Sequence, residues 1–174
     1  MWTNQIDYLL KKDPTTRPVF GGVFASDELP QHIESGKRLF VVNTDPAHQP
    51  GQHWVAFYFH PDGTCSYFDS YGLYPLLKCF VQFMERNSKQ WTFNRKRIQH
   101  AKSTMCGHYC VFFAIHMCRG KSMEKIANMF DTDKRFNDIM VADFINHYFG
   151  TQVLPAFSSV NQCCRSAMNT MTFE

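Results

Sequence analysis

The order of apolar and polar residues divides the first half of the chain into one helix and three strands. Apolar side chains recur at helical spacing over Asn4–Lys12, which predicts an amphipathic helix. Short runs rich in Val, Phe and Tyr at Arg38–Thr44, His53–Phe59 and Cys65–Asp69 predict strands. A Pro-Asp-Gly sequence separates the last two runs and is typical of a tight turn, so these two strands are predicted to form a hairpin.

The second half of the chain has a mainly helical pattern. Cys106–Cys118 is apolar nearly all round, which predicts a buried helix. The other predicted elements are a helix over Pro75–Arg86, a third long strand over Trp91–Gln99, a helix over Met123–Phe130 capped by Ser122, and a last helix that is capped within Asp131–Asp133 and ended by Gly150. Phe20–Phe24 contains two adjacent glycines and is interpreted as a loop, and Ser26 and Asp27 are expected to cap a single helical turn.

This order of helix, strands and helices predicts an α+β fold with a mostly antiparallel central sheet flanked by helices. A length of 174 residues is typical of one domain. We therefore expect a single domain over residues 1–174 whose core lies at about 20–150. Residues 151–174 are mostly polar and irregular in pattern, and are predicted to form a C-terminal tail.

Composition and charge exclude several classes of protein. Aromatic residues make up 16% of the chain, which argues against a disordered, collagen-like or solenoid protein. A net charge of +3 is too small for a histone-like DNA coat, although it leaves an anionic partner open. No apolar stretch approaches 18 residues and the start of the chain does not resemble a signal peptide. We expect an intracellular protein with no membrane association.

The chain has seven cysteines, an odd number that cannot pair completely within one molecule. They are Cys65, Cys79, Cys106, Cys110, Cys118, Cys163 and Cys164. Free thiols in a reducing compartment are the simplest interpretation, and such thiols are packing residues, metal ligands or nucleophiles.

Cys106 is the candidate nucleophile because it lies where a polar loop becomes an apolar helix. The N-terminus of a helix offers unpaired N–H groups and the positive end of the helix dipole, and both stabilise a thiolate. The following Gly107 would let another chain or a substrate approach closely. A small buried packing residue would show the same pattern, so the partners of Cys106 decide its role.

The predicted hairpin supplies a candidate base and a candidate acid for such a thiol. His53 begins one strand and Asp69 ends the next, so the hairpin would bring the two side chains together. His53 could take the thiol proton while Asp69 orients the imidazole ring. Gln99, seven residues before Cys106, could add a side-chain donor to the backbone N–H of Cys106 in an oxyanion hole.

In order and spacing, these residues resemble the adenovirus-type cysteine proteases, the adenain family. The resemblance covers roughly residues 20–150. The matching segments are Val42-Asn43-Thr44, Gly51, His53-Trp54-Val55-Ala56-Phe57, Phe68-Asp69-Ser70-Tyr71-Gly72, and Cys106-Gly107-His108-Tyr109-Cys110 with Gln99 seven positions upstream. Asp69 stands where adenain itself has Glu, but proteases of ubiquitin-like modifiers in the same clan use Asp.

The resemblance implies a monomeric cysteine endopeptidase with a Cys106–His53–Asp69 triad and Gln99 as oxyanion donor. It implies cleavage after Gly in viral capsid and core precursors, in the nucleus or the virion, with Trp54 and Gly107 at the substrate cleft. No cofactor is needed for the chemistry, but DNA and an activating peptide are implied as further partners. The DNA contacts would be Lys89, Arg95, Lys96 and Arg97. Phe80–Ile98 contains no cysteine, which argues against a peptide linked by a disulfide.

Three alternatives stay open at this point. The chain could be a protease of SUMO-type, ubiquitin-like modifiers, whose C-terminal Gly-Gly suits the same cleft. It could be an inactive, protease-like interaction module. It could also bind zinc through Cys106, Cys110, His116 and Cys118, although their spacing is not that of a zinc finger or ribbon.

Overall fold

The computed structural model describes residues 1–150, so the predicted tail, including Cys163 and Cys164, lies outside the described residues. Within this range the chain forms five helices and five strands. The elements are α1 (Thr3–Lys12), β1 (Phe20–Phe24), β2 (Leu39–Asn43), β3 (Trp54–Phe59), β4 (Thr64–Phe68), α2 (Lys78–Asn87), β5 (Gln90–Phe93), α3 (Cys106–Cys118), α4 (Met123–Ala127) and α5 (Lys134–Phe149). This order confirms the predicted α+β class.

The five strands form one mixed sheet in the order β1-β2-β3-β4-β5. The pairs β2–β3 and β3–β4 are antiparallel, as predicted for the hairpin, whereas both outer pairs are parallel. The sheet is therefore antiparallel only at its centre. In the central hairpin Ala56 lies opposite Phe68, so the start of β3 is next to the end of β4.

Helices cover both faces of the sheet, because side chains of the central strands alternate between two apolar clusters. Leu39 and Val41 face α1, α3 and α5, whereas Phe40 and Val42 face α2. Helix α3 is apolar all round and lies buried against β3, in agreement with its sequence pattern.

Two predicted elements differ from the structure. Phe20–Phe24 is the edge strand β1 and not a loop: a side chain on Gly21 would lie 2.3 Å from the ring of Phe40 on β2, so the close packing of β1 requires a glycine there. The predicted strand Trp91–Gln99 is also too long, since β5 ends at Phe93. Asn94 and the residues after it leave the sheet because their side chains bind elsewhere in the molecule.

Helix ends mostly follow the predicted caps. The Ser122 hydroxyl accepts a hydrogen bond from the Lys125 N–H, and the Asp133 carboxylate accepts one from the Arg135 N–H. Gly150 adopts a left-handed conformation after α5, as expected of a terminating glycine. Three predictions differ in detail: α2 begins at Lys78, α4 ends at Ala127, and Ala25–Glu28 forms a single turn closed by one backbone hydrogen bond. No helix within residues 1–150 is long and apolar enough to cross a membrane.

Candidate active site

His53 and Asp69 meet at one end of the central hairpin. His53 immediately precedes β3 and Asp69 immediately follows β4, so the antiparallel register places them side by side. The Nε2 atom of His53 lies 2.9 Å from Oδ1 of Asp69. Asp69 is nearly fully buried and His53 is partly exposed. The adjacency expected from the hairpin is therefore present in the structure.

Cys106 is the first residue of α3, and its sulfur is surrounded by hydrogen-bond donors. It is hydrogen-bonded to His53, and the backbone N–H groups of Trp54 and Gly107 also point at it. Because Asp69 takes Nε2 of His53, Nδ1 is the ring nitrogen left for the sulfur. The three side chains thus form one continuous chain from carboxylate to thiol.

The electrostatics of this chain favour the charged forms of Cys106 and His53. Burial alone would lower the pKa of His53, but the hydrogen bonds to Asp69 and Cys106 and the charges of both partners outweigh it and raise the pKa to about 9. Burial alone would raise the pKa of Cys106, but the hydrogen bond and charge of His53 and the two backbone N–H groups lower it. Both shifts favour the thiolate–imidazolium form of this pair.

The other cysteines that the structure describes differ from Cys106 in this respect. Burial raises the pKa of Cys79 and of the fully buried Cys110, and it raises the pKa of Cys118 to about 12. Cys65 is buried in β4 and its pKa is also raised. Within residues 1–150, Cys106 is the thiol whose surroundings favour the anion.

Asn94 and Tyr71 hold this site in place, and neither was predicted from the sequence to have a role. The Asn94 side chain accepts a hydrogen bond from the Asp69 N–H at 2.8 Å and donates one to the Asp69 carbonyl at 2.6 Å. The Tyr71 N–H donates to the Asp69 carboxylate at 2.8 Å, and the Tyr71 ring stacks on His53 with ring centroids 5.0 Å apart. The available sequence signal for Asn94 was an Asn inside the predicted strand Trp91–Gln99, where this residue type is disfavoured.

Gln99 is fully buried near the site, and its side chain is already engaged. Its Oε1 accepts a hydrogen bond from the Ser70 hydroxyl at 2.6 Å. Its Nε2 donates to the Ser103 carbonyl at 2.8 Å and to the Tyr71 hydroxyl at 3.4 Å. Donation to an oxyanion would require one of these two N–H groups to exchange partners, so the oxyanion role of Gln99 stays a prediction.

Trp54 and Gly107 pack against the first residues of the chain. The Trp54 indole N–H donates to the Met1 carbonyl at 3.1 Å. A Cβ atom on Gly107 would lie 3.0 Å from the Met1 side chain and 3.2 Å from those of Ile6 and Trp54. The close approach expected over Gly107 is thus made by the protein's own residues, and contact with a substrate at this point stays a prediction.

The four basic residues predicted to bind DNA differ in their exposure and contacts. Lys96 is partly buried, and its ammonium donates to the carbonyls of Ala127 and Phe130. Arg97 lies over the Tyr71 ring and donates to the Gln99 carbonyl. Arg95 lies over the Phe93 ring, and Lys89, Arg95 and Arg97 are all exposed.

The zinc alternative gains no support from the described residues. Among residues 1–150 there is no group of three or more His, Cys, Asp or Glu side chains that could hold a metal ion. The cysteines proposed as ligands lie along one helix, and the sulfur of Cys106 is hydrogen-bonded to His53.

Solved structures share this fold. The chain matches the ASFV pS273R protease with a TM-score of 0.58 at 18% identity, over 80% of this chain and 65% of that one. It matches ChlaDub1 from Chlamydia trachomatis with a TM-score of 0.51 at 16% identity, over 87% of this chain and 78% of that one. A second structure of the ASFV protease aligns over 63% of this chain and 45% of that one, with a TM-score of 0.46 at 23% identity.

This chain therefore spans 45% to 65% of the ASFV protease in these two alignments. No protein-family model matches the chain, and no curated protein sequence matches it. At these identities the likeness concerns the fold, which this chain has in common with the ASFV protease and ChlaDub1. The narrower resemblance to adenovirus-type proteases stays a prediction.

Proposed function

We propose that this protein is a cysteine endopeptidase that hydrolyses peptide bonds through a covalent acyl-enzyme. The observation that carries the proposal is the hydrogen-bonded chain from Asp69 through His53 to Cys106, in a setting that favours the thiolate. A nucleophile, a base and an orienting carboxylate in this order define the triad of such enzymes. The fold shared with a protease agrees with it.

The reaction begins with the ion pair. The Cys106 thiolate attacks the scissile carbonyl carbon, and the carbonyl oxygen takes the negative charge. When this intermediate collapses, the C–N bond breaks and His53 gives its proton to the leaving amine. The neutral His53 then takes a proton from water, whose oxygen attacks the thioester. A second collapse releases the new carboxyl terminus and restores the thiolate–imidazolium pair.

In this proposal the oxyanion is stabilised by the Cys106 backbone N–H and by Gln99. The position of Gln99 supports this role, because its Nε2 contacts Tyr71, whose ring stacks on His53. One N–H of Gln99 would leave Tyr71 or Ser103 and turn to the oxyanion as the charge develops. Loss of one such donor typically lowers the rate about 10²- to 10³-fold.

The proposed specificity is cleavage after Gly. Trp54 supports it, because the indole beside the nucleophile is held by the Met1 carbonyl and packs against Gly107, which limits its freedom to make room for a large side chain. The substrates would be capsid or core precursors of a virus or virus-like transposon, cleaved in the nucleus or the virion. DNA and an activating peptide remain proposed partners, with Lys89, Arg95 and Arg97 as the exposed basic residues of the predicted DNA contacts.

The test is hydrolysis by the purified protein of fluorogenic peptides in which the residue before the scissile bond is varied. We expect cleavage after Gly, and loss of cleavage in Cys106→Ala with the circular dichroism spectrum unchanged. Cys79→Ala is the matched control, because Cys79 is a partly exposed thiol on a helix away from the site. Hydrolysis by Cys106→Ala would refute the proposal, and equal cleavage after bulky residues would refute only the Gly specificity.

The same preparation separates the two kinds of Gly-cleaving protease. Capsid and core precursors from the same genome, digested with and without DNA, are expected to be cut. Release of a C-terminal extension from a ubiquitin-like modifier, with the capsid precursors left intact, would instead assign the chain to modifier processing.

A further inference from the structure

Helix α5 takes no part in the proposed triad, but its side chains form hydrogen bonds with the segment that carries Gln99. Asn137 and Asp138, in the first turns of α5, are both buried. Asn137 donates to the Ile98 carbonyl at 3.0 Å, and the hydroxyl of Tyr109 on α3 lies 3.2 Å from the same carbonyl oxygen. The residue just before Gln99 is therefore fixed to two helices.

Asp138 binds the turn that follows Gln99. This turn, His100–Ser103, is closed by a hydrogen bond from the Ser103 N–H to the His100 carbonyl. The Asp138 carboxylate accepts hydrogen bonds from the Tyr109 hydroxyl at 2.8 Å, from the His100 N–H at 3.5 Å and from the Ser103 hydroxyl. One buried carboxylate thus ties both ends of the turn to α3.

The contacts of Ser103 connect this carboxylate to both proposed oxyanion donors. The Ser103 hydroxyl accepts from the N–H of Met105, the residue just before Cys106, at 3.2 Å. The Ser103 carbonyl accepts from Gln99 Nε2. Movement of Ser103 would therefore change the direction of the Gln99 amide and the start of α3 together.

We propose that Asp138 is a positioning residue for the oxyanion hole, and that it acts through Ser103 on Gln99 and on the Cys106 N–H. The cost of burying a carboxylate supports this role. A buried carboxylate is costly to desolvate, and within residues 1–150 this one has three hydrogen-bond donors but no ion-pair partner in contact. An apolar side chain would fill the same space at a lower desolvation cost, but it would leave the turn His100–Ser103 without these hydrogen bonds.

This inference rests on the proposed protease function, and the test is built to separate the two. Asp138→Asn keeps the size of the side chain but presents an NH₂ group to donors that need an acceptor. With a fluorogenic peptide ending in Gly, we expect kcat to fall roughly ten- to hundred-fold while KM changes less than about two-fold. The rate of Cys106 alkylation by iodoacetamide should stay the same, because it depends on His53 and not on the oxyanion donors.

Two further variants sharpen the result. Asp143→Asn makes the same chemical change at an exposed position of α5 and should leave kcat unchanged. Ser103→Ala should lower kcat as Asp138→Asn does. The kcat of the double variant should be only slightly lower than that of either single variant, because both changes break the same hydrogen bond between Asp138 and Ser103.

Hydrogen exchange of the backbone N–H groups over residues 98–105 gives a readout that needs no substrate. Asp138→Asn should speed exchange there and leave the β3–β4 hairpin unchanged. An unchanged kcat, an unchanged exchange rate, or an equal fall in alkylation rate and thermal stability would overturn the inference. If the wild-type protein cleaves no peptide, the proposed function fails, and the exchange rates still decide whether Asp138 holds the turn.

Discussion

At the scale of single residues, the reactivity of Cys106 depends on groups from three places in the chain. The hairpin supplies His53 and Asp69, α3 supplies the thiol and one N–H group, and the residue after β5 supplies the Asn94 amide. Asn94 bonds both backbone polar groups of Asp69 and so fixes the carboxylate without competing for its oxygens. The acid of the proposed triad is therefore held by its backbone, and its Oδ1 stays available to both His53 and Tyr71.

We predict that Asp69→Asn lowers the pKa of His53, because the hydrogen bond and the charge of Asp69 both raise it. In the wild-type protein the imidazolium persists until the pH rises through about 9. Alkylation of Cys106 by iodoacetate, an anionic reagent favoured by the imidazolium, should fall above that pH. In Asp69→Asn the fall should begin at lower pH, and hydrolysis should drop by roughly 10³- to 10⁴-fold.

Asp143→Asn is the control for this pH profile, since Asp143 is exposed on α5. If the alkylation rate of Asp69→Asn falls at the same alkaline pH as that of the wild-type protein, Asp69 does not set the charge of His53.

Residue order along the chain was enough to predict which side chains meet, but not how each is held. The hairpin register alone places His53 beside Asp69, and the start of an apolar helix places Cys106. The partners of Gln99 could not be predicted, because Ser70 and Ser103 reach it from turns whose shape depends on tertiary contacts.

At the scale of elements, the main differences from prediction lie at the ends and edges of the sheet. Two adjacent glycines favour a loop by propensity, yet β1 uses Gly21 to pack closely against the ring of Phe40. Trp91–Gln99 is predicted to form a long strand, but Asn94 and Lys96 bind Asp69 and α4 and draw the chain out of the sheet. Tertiary hydrogen bonds override the local pattern in the second case, and packing does so in the first.

The turn after β4 gives a test of packing between elements. Gly72 has φ of +70°, and a Cβ atom there would lie 2.8 Å from the Lys96 carbonyl carbon and 2.9 Å from the Arg97 nitrogen. We predict that Gly72→Ala destabilises the protein by more than about 1 kcal/mol, because backbone strain and a collision with backbone atoms add together. It should also lower activity, since this turn carries Asp69 and Tyr71.

Gly120→Ala separates these two contributions. Gly120 has φ of +81°, but a Cβ atom there would have no neighbouring atom within 4 Å, so only the strain should appear. Urea unfolding of both variants measures the difference, and equal free energies of unfolding would show that the contact with Lys96 and Arg97 costs nothing.

At the scale of the whole molecule, basic residues that are near one another in sequence make different contacts. Lys96 holds the carbonyls of Ala127 and Phe130, near the end of α4, and Arg97 covers Tyr71 beside the site. Lys89, Arg95 and Arg97 are exposed, whereas Lys96 is partly buried. A basic run that looks continuous in sequence therefore offers a DNA partner fewer cations than its length suggests.

We predict that Lys96→Gln lowers the thermal stability with little effect on DNA affinity, because it releases α4. Arg95→Gln should leave stability unchanged and weaken binding of a DNA duplex. Each lost phosphate contact should reduce the salt dependence of log K by about one unit. Fluorescence anisotropy at several salt concentrations measures the DNA affinity and its salt dependence, and thermal unfolding measures the stability. An unchanged slope of log K against log salt concentration in Arg95→Gln would show that Arg95 makes no phosphate contact.

The central hairpin also places its connecting loop, which can accept an insertion, far from the candidate active site. The connection between β3 and β4 contains the exposed residues Pro61 and Asp62 and lies at the opposite end of the strands from His53 and Asp69, roughly 20 Å away. Lengthening such a loop costs little chain entropy, and the strand register is already set by burial on both faces. An affinity tag or fluorescent reporter inserted between these two residues would thus label the protein without entering the site.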